Sequence, residues 1–197
     1  MPAGVKHRFV LEKLIMSLHE KLQRQIFVVE LGVASGNTSE YLLRVLPFIH
    51  LSLVDKWPLQ QISESGKYPA MWTVRDRTEF CADRRKLHRG LSVDVASKFE
   101  NESQDLVFID ANHQFESVDQ DISAWLPKIR HGGIISGHDI DSRKDKLGIW
   151  GVRRAVEKHF GKKFNIDSNV WWSAVLRPLN FEIDFNSLML TQDCYMI

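Results

Sequence analysis

Apolar positions along the chain follow two periods, one typical of helices and one typical of buried strands. Five apolar residues recur at helical spacing near the start: Val10, Leu11, Leu14, Ile15 and Leu18. This spacing predicts an amphipathic helix over residues 5–24. The next segment, IFVVELG, is a short run of mainly branched apolar residues that ends in glycine. A run of that length and composition predicts a buried strand.

Strand and helix patterns then alternate through most of the chain. Further strands are predicted over residues 50–56, 86–92, 105–111 and 132–139. Helices are predicted over residues 38–46, 70–85, 93–99, 117–129 and 149–160, and Thr38 or Asn37 is expected to cap the first of them. Residues 163–167 and 171–178 are separated by a short gap and predict a closing β-hairpin. Residues 57–68 contain Trp, Pro, Ser and Gly and predict a loop.

This alternation predicts an α/β fold in which helices cover both faces of a mainly parallel sheet. The closing hairpin adds an antiparallel strand at the end of the chain. Ligands of such sheets bind beyond the carboxyl ends of the strands, close to the point where the strand order reverses. The residues that end each strand are therefore the candidates for chemistry.

Composition narrows the classes of protein to which this chain can belong. The chain has 197 residues, of which 44% are hydrophobic and 26% charged, with a formal net charge of +1. These values suit one globular domain without the basic stripe of a nucleic-acid surface. Cys81 and Cys194 are too few for a disulfide framework, which favours a reducing compartment. We read no signal peptide and no membrane span, and predict a cytoplasmic protein.

The first three strands end in residues that suit a nucleoside ligand. Glu30, Gly32 and Gly36 lie in VELGVASGNT, where glycines let the backbone approach a ligand closely. The turn lacks both the dinucleotide fingerprint and the phosphate loop, so it fits a ligand with an amine better than a pyrophosphate, although an ordinary strand–helix turn explains it equally well. Asp55 ends the second strand, where an acid accepts hydrogen bonds from ribose or is simply solvated. Ser92, after the third strand, suits an adenine edge or a helix cap.

Five stretches together resemble a known family: VELGVASGNT, LVDKW, DLVFIDANH, GGIISGHDI and WGVRRAVEKHF. They are similar to class I S-adenosylmethionine-dependent methyltransferases, and within them to the small-molecule O-methyltransferases that include sugar-modifying enzymes of macrolide biosynthesis. The resemblance covers roughly residues 25–178. It implies a three-layer Rossmann-like fold whose mainly parallel seven-stranded sheet ends in the antiparallel hairpin. The whole chain, residues 1–197, is then one domain with a helix before the core and a tail, residues 179–197, after it.

The resemblance also assigns roles in binding S-adenosylmethionine. It implies that Glu30 and Gly32 border the methionine part of this cofactor, with Gly36 in the same glycine motif, and that Asp55 contacts its ribose. Three more residues complete the implied cofactor site, the first two of them beside the adenine: Ser92, Val93 and Asp110.

Asp110 and Asp139 end the fourth and fifth predicted strands, which lie about 4.8 Å apart if they are neighbours in the sheet. Two carboxylates at that separation can share a divalent cation, and oxygen ligands suit Mg²⁺. Metal-dependent members of the resembled family carry two acids after the fifth strand, whereas this chain has His138 and Asp139. An imidazole shifts the preference towards Mn²⁺, Fe²⁺ or Zn²⁺. The predicted metal ligands are Asp110, His138 and Asp139, although His138 alternatively only orients Asp139 or faces away.

His113 matches the general base of the sugar-modifying relatives, and an imidazole accepts protons near neutral pH. The hypothesis is that Asp110 and a divalent cation lower the pKa of an acceptor hydroxyl, His113 removes its proton, and the oxygen takes the sulfonium methyl group. The acceptor is expected to be a small hydroxylated metabolite. Three alternatives remain open: metal-independent O-methyl transfer, N-methyl transfer, and a cofactor-binding module without turnover. His113 can also be a structural residue.

Several tryptophans and basic residues are not predicted to belong to the site. Trp150, Trp171 and Trp172 are interpreted as core residues, because aromatic side chains near a hairpin are more often packed than functional. Arg143, Lys144 and Lys146 are interpreted as a solvated loop, with contact to an acidic substrate as the alternative. The apolar tail leaves an added strand, a lid or a homo-oligomer contact open. No nucleic-acid or membrane partner is expected.

Overall fold

The computed structural model describes residues 6–57 and 71–176 of the chain. Its strands are Ile26–Leu31 (β1), Ile49–Asp55 (β2), Arg85–Arg89 (β3), Gln104–Ile109 (β4), Ile129–Gly137 (β5), Asn165–Asp167 (β6) and Val170–Ala174 (β7). They form one seven-stranded sheet in the order β3-β2-β1-β4-β5-β7-β6. The strands β1 to β5 pair in parallel, whereas β7 is antiparallel to both β5 and β6. The predicted fold class and the closing hairpin are confirmed.

Seven helices flank this sheet within the described residues: Lys6–Leu22 (α1), Asn37–Val45 (α2), Met71–Arg77 (α3), Ser92–Ala96 (α4), Phe115–Trp125 (α5), Arg143–Lys146 (α6) and Val152–Phe160 (α7). Two apolar layers join them to the sheet. One layer packs α1, α2 and α3 against one face of the sheet, and the other packs α4, α5 and α7 against the opposite face. Since β4 is buried at every position, it separates these two layers along its whole length.

The cap predicted for α2 is wrong. Gly36 occupies the capping position in a left-handed conformation with a φ of 75°, and no side chain caps the helix. Both predicted capping side chains have other partners, because Thr38 Oγ1 lies 3.0 Å from His7 Nε2 and Asn37 Oδ1 accepts from Arg77. Packing between elements therefore decides this helix end.

Other helix boundaries also differ from the prediction, and α4 ends at Ala96 instead of residue 99. The helix predicted over residues 70–85 ends at Arg77, where the Thr78 hydroxyl donates back to the Val74 carbonyl oxygen at 2.7 Å. The helix predicted to reach Ile129 ends at Trp125, because Pro127 lies in a 3₁₀ turn that leads directly into β5. α7 begins at Val152 instead of residue 149, since the Gly151 N–H is bonded to the His113 carbonyl oxygen.

Two predictions fall partly outside the described residues. The predicted loop 57–68 is described only at Trp57, which is 1% exposed and belongs to the core. The tail and Cys194 lie wholly outside, whereas Cys81 is a buried free thiol. Within residues 6–57 and 71–176, no helix has the length and apolar character that a membrane crossing requires.

Candidate active site

The carboxyl ends of β1, β2, β4 and β5 meet at one edge of the sheet. Backbone hydrogen bonds continue past the strands there, from Gly32 N to Val54 O at 2.9 Å, from Asp110 N to Leu31 O at 2.8 Å, and from His138 N to Ile109 O at 3.1 Å. These bonds hold the polar residues that follow each strand in fixed positions. The strand order reverses between β1 and β4, which is where α/β sheets place ligands.

Asp110, His113 and Asp139 form a compact cluster at this edge. His113 Nε2 lies 2.9 Å from Asp139 Oδ2 and 3.5 Å from Asp110 Oδ1. His113 Nε2 is buried, and its contacts with the two carboxylates are ion-pair contacts without the alignment of a hydrogen bond. One ligand atom from each of the three residues lies within 4.8 Å of the others, a spacing that one metal ion can span. The three atoms converge on a shared space.

His138 flanks the same two carboxylates. Its Nδ1 atom lies 3.4 Å from Asp139 Oδ2 and 3.8 Å from Asp110 Oδ1. The predicted alternative in which His138 faces away from the site is therefore wrong. The structure brings all four predicted residues of this cluster together, and it places His113 nearer to Asp139 and Asp110 than His138 is.

Opposite charges dominate the electrostatics of this cluster. Burial lowers the pKa of His113, but the Asp110 and Asp139 carboxylates outweigh burial and raise that pKa to about 9. The same balance raises the pKa of His138. Burial raises the pKa of Asp139, but its contacts with His113 and His138 outweigh burial and hold that pKa well below its usual range. Without a bound cation, a protonated imidazole is thus the counter-charge of the acids at neutral pH.

Asp139 is held in an unusual backbone conformation, with a φ of 62°. Non-glycine residues adopt such a conformation rarely, and it is over-represented at functional sites. Asn169, in the turn between β6 and β7, donates from Nδ2 to Asp139 Oδ1 at 2.9 Å. Its Oδ1 atom accepts from Asp141 N at 2.6 Å. Asn169 therefore fixes both the side chain of Asp139 and the backbone after it, and nothing in the sequence pattern indicated this role.

The glycine turn after β1 packs directly against the end of β4. Gly32 has a φ of 84°, and a Cβ atom there would lie 2.1 Å from Asp110 O. Asp55 fixes the same turn from the other side, since its Oδ2 atom accepts from Val33 N and Ala34 N, each at 2.9 Å. Trp57 N donates to Asp55 Oδ1 at 2.9 Å. A carboxylate accepts about four hydrogen bonds, so little capacity is left for a ribose hydroxyl.

Glu30 lies beneath the turn and is only 3% exposed. The Ser39 hydroxyl donates to Glu30 Oε2 at 2.5 Å. Burial raises the pKa of Glu30 to about 8, against the lowering effect of this hydrogen bond. The Glu30 carboxyl group is therefore mainly neutral at pH 7 until a positive charge approaches.

Ser92 begins α4 without capping it, which contradicts the predicted alternative of a helix cap. Its hydroxyl donates to Asp121 Oδ1 and accepts from Trp125 Nε1 at 3.1 Å. Since its single proton is used, a contact with adenine would need the hydroxyl oxygen or the backbone N–H groups of Ser92 and Val93. Asp121 is 5% exposed, and burial raises its pKa to about 6.

Two aromatic residues at the site were missed by sequence reasoning. His7 of α1 is 8% exposed, and its ring centroid lies 4.9 Å from that of His138. A polar residue on the buried face of a helix was the available signal. Trp150 stacks on His113 with ring centroids 4.1 Å apart and an interplanar angle of 16°. No linear pattern relates these two residues. Trp171 is a core residue, as predicted, and is 1% exposed.

The donor atoms of the cluster fit a divalent cation. Two carboxylates suit Mg²⁺, and a ring nitrogen among the donors shifts the preference towards Mn²⁺, Fe²⁺ or Zn²⁺. The His113 imidazole, beside both carboxylates, also suits a proton acceptor once a cation offsets their charge. The arrangement can therefore hold a cation, remove a proton, or do both.

Comparison with known proteins identifies the sequence family. Residues 29–140 match the family model described as "Methyltransferase domain". Over 65 residues the chain is 28% identical to the uncharacterized protein y4gI of Sinorhizobium fredii (strain NBRC 101917 / NGR234), a match that covers 33% of this chain and 7% of that protein. The chain thus spans less than a tenth of the length of this curated relative.

Solved structures with the same architecture include several O-methyltransferases. NovP is 13% identical, with 88% of this chain and 81% of that chain covered, at a TM-score of 0.66. CalS11, a TDP-rhamnose 3'-O-methyltransferase of calicheamicin biosynthesis, is 17% identical. The match covers 87% of this chain and 78% of CalS11, at a TM-score of 0.61. An O-methyltransferase from Bacillus cereus in complex with S-adenosylhomocysteine is 18% identical. The match covers 84% of this chain and 80% of that enzyme, at a TM-score of 0.57. At these identities the likeness shows a shared fold.

Proposed function

Because this chain belongs to the methyltransferase domain family, we propose that it transfers the methyl group of S-adenosylmethionine to a hydroxyl oxygen of a small metabolite. The observation that carries this proposal is the convergence of Asp110, His113 and Asp139 directly beside the glycine turn. S-Adenosylmethionine supplies an electrophilic methyl group, and the residues of the chain position the acceptor oxygen and remove its proton.

The donor side of the proposed site consists of the glycine turn and its neighbours. Gly32 and Gly36 let the turn pack closely on Asp110 and Val74, and Glu30 offers a carboxyl group to the methionine end. Asp55 acts mainly by fixing the turn, with its remaining acceptor capacity available to the ribose. Ser92 and Val93 border the adenine through the first turn of α4.

The acceptor side consists of the acidic cluster. Asp110 and Asp139 would hold a divalent cation, with His138 beside them as a further donor. A divalent cation at this position would lower the pKa of an acceptor hydroxyl. His113 Nε2, which is buried beside both carboxylates, would take the proton. The deprotonated oxygen then forms a bond to the methyl carbon as the carbon–sulfur bond breaks.

This arrangement explains how a strongly basic imidazole serves as a base at neutral pH. Two carboxylates raise the pKa of His113 to about 9, so alone they would keep it protonated. A cation on the same carboxylates offsets their negative charge, which lets His113 release its proton. Cation binding would therefore displace one proton from the cluster.

A second assignment of His113 is favoured by the same geometry. Since its Nε2 atom lies in ligand range of both carboxylates, His113 can be the third ligand of the cation. Activation of the hydroxyl would then depend on the cation alone. The two assignments differ in what replacement of His113 does to cation affinity.

The proposal is tested by calorimetry with S-adenosylhomocysteine in the presence and absence of Mg²⁺. Binding with micromolar to millimolar affinity is expected, and no binding in either condition would overturn the proposal. Asp110→Ala should abolish methyl transfer to hydroxylated acceptors and leave the affinity for S-adenosylhomocysteine largely intact. Normal turnover in EDTA would favour the metal-independent alternative, and product binding without any transfer would favour a binding module.

A further inference from the structure

Residues 141–151, here called the β5–α7 segment, form a wall beside His113. Gly151 N donates to the His113 carbonyl oxygen at 2.8 Å. The Trp150 ring stacks on the His113 imidazole, with centroids 4.1 Å apart. A backbone bond and a ring stack thus fix this segment against the proposed base. An acceptor whose oxygen reaches His113 would also contact the segment.

Lys144 brings a positive charge to this wall. Its ammonium nitrogen lies 4.8 Å from the centroid of the Trp150 ring, a cation–π distance. Its carbonyl oxygen accepts from Ile149 N at 2.9 Å and from Trp150 N at 3.2 Å, so the two ends of the segment are tied together. The same indole ring therefore contacts both the Lys144 ammonium group and the His113 imidazole.

The acidic residues of the segment offset only part of its basic charge. Asp141 pairs with Arg153 at 2.5 Å, and Asp145, whose Oδ1 atom accepts from the backbone Arg153 N at 3.3 Å, carries one negative charge against the three of Arg143, Lys144 and Lys146. Arg143 and Lys146 are exposed, and within the described residues neither side chain has an ion-pair partner. The segment next to Trp150 consequently carries a net positive charge.

Apolar side chains complete the wall. Leu147 is 62% exposed and Ile149 is 56% exposed, in the same segment as Trp150. Large apolar residues with such exposure, next to a site that needs an organic acceptor, suit contact with the body of that acceptor.

We propose that the β5–α7 segment binds the acceptor, and that the acceptor is an anionic hydroxylated molecule. Its carboxylate or phosphate group contacts Lys144, and its ring or chain packs on Ile149 and Leu147. This inference rests on the proposed function, since it concerns the acceptor of the same reaction. The basic wall also disfavours a cationic acceptor, because like charges repel.

The test uses acceptor sets that differ only in charge. Catechol, 3,4-dihydroxybenzoate and dopamine share two adjacent hydroxyl groups and are neutral, anionic and cationic. Glucose and glucose 6-phosphate form a second set, which separates recognition of a phosphate from that of a carboxylate. Binding of each probe to the full chain loaded with S-adenosylhomocysteine and Mg²⁺ is measured by calorimetry. An anionic probe is expected to bind about tenfold tighter than its neutral counterpart, and this preference should weaken with added salt.

Lys144→Gln should lower the affinity for the anionic probe by about fivefold and leave the affinity for the neutral probe unchanged. Lys98→Gln is the matched control, because this exposed lysine follows α4 near the opposite edge of the sheet and its loss removes the same charge. Equal affinity for all probes, tighter binding of dopamine, or no binding of either anionic probe would overturn the inference. If S-adenosylhomocysteine binds while the anionic preference is absent, only this inference fails and the proposed function stands.

Discussion

His113 Nε2 and Asp139 Oδ2 lie 2.9 Å apart without forming a hydrogen bond. A hydrogen bond at that distance would need the ring N–H to point at the carboxylate. Possible ligand atoms of these two residues and of Asp110 all lie within 4.8 Å of one another. This relationship is what makes the strand ends a candidate catalytic centre, and it gives His113 two competing roles.

Replacing His113 by Gln separates these roles. If His113 is the base, kcat should fall by about 10²- to 10⁴-fold. Affinity for Mn²⁺, measured by electron paramagnetic resonance, should stay within about threefold, because the two carboxylates remain.

Asp139→Asn is the comparison for that variant, because it removes a proposed metal ligand. It should lower the affinity for Mn²⁺ by about tenfold or more. Asp141→Asn, which alters an acid paired with Arg153 two residues away, should leave Mn²⁺ affinity unchanged. A loss of affinity in His113→Gln as large as that in Asp139→Asn would assign His113 as a ligand.

The pKa of His113 makes stability depend on pH when no cation is bound. Folding raises this pKa from about 6.5 in the unfolded chain to about 9. The stabilisation is fully present below pH 6.5 and is lost as the pH rises through 9. The free energy of unfolding should fall across this window, by at most about 1.4 kcal/mol per pH unit for this group.

Urea unfolding of the protein in EDTA, at several values between pH 6 and pH 10, measures this effect. His113→Gln should show a shallower decline, because only the smaller contributions of other groups remain. Equal slopes for the two proteins would contradict the assigned ion pair between His113 and its carboxylates.

Glu30 should destabilise the fold as the pH rises, in contrast to most acids. Its pKa is raised to about 8 by burial, so between about pH 4.5 and 8 the unfolded chain loses a proton that the folded chain keeps. The unfolding free energy contributed by Glu30 falls across that range. Glu30→Gln still offers an oxygen to Ser39 and should gain stability over wild type as the pH increases.

Denaturant melts at pH 5 and pH 8 check this prediction. The advantage of Glu30→Gln should be small at pH 5 and largest at pH 8. Glu116→Gln is the control, because Glu116 is exposed in the first turn of α5 and should change stability by no more than about 0.5 kcal/mol at either pH. An advantage that does not grow with pH would mean that Glu30 is ionised in the folded protein.

Gly32 should tolerate no side chain. Alanine there would place Cβ 2.1 Å from Asp110 O at a φ of 84°, so both the backbone and the cluster must shift. We expect a loss of stability of about 2–4 kcal/mol in thermal unfolding. Gly148→Ala is the matched control, since Gly148 has a φ of 69° with nothing within 4 Å of the added carbon. It should cost only about 1 kcal/mol, and equal losses would show that the contact with Asp110 is unimportant.

The sequence was sufficient to predict the sheet because its strands are buried runs with a clear beginning and end. Helix ends were harder to predict, since they depend on partners elsewhere in the chain. Thr38 fails to cap α2 because its hydroxyl contacts His7, 31 residues earlier. The helix before β3 stops where Thr78 bonds to its own backbone.

In the candidate site, too, residues set by local sequence were predicted, and residues set by distant contacts were not. The acids of the cluster were predicted because each directly follows a strand. Trp150 and Asn169 were not, because they reach His113 and Asp139 from segments whose positions only tertiary packing determines. The hydroxyl of Ser92, predicted to meet an adenine edge or to cap a helix, instead donates to Asp121, a long-range contact that sequence spacing does not reveal.

The most direct test of a cation site at the strand ends is a crystal structure with S-adenosylhomocysteine and Mn²⁺, in which anomalous scattering locates the metal. The account predicts a peak within about 2.6 Å of carboxylate oxygens of both Asp110 and Asp139, with the product against the glycine turn. A metal-saturated crystal with no peak between these two residues would contradict it.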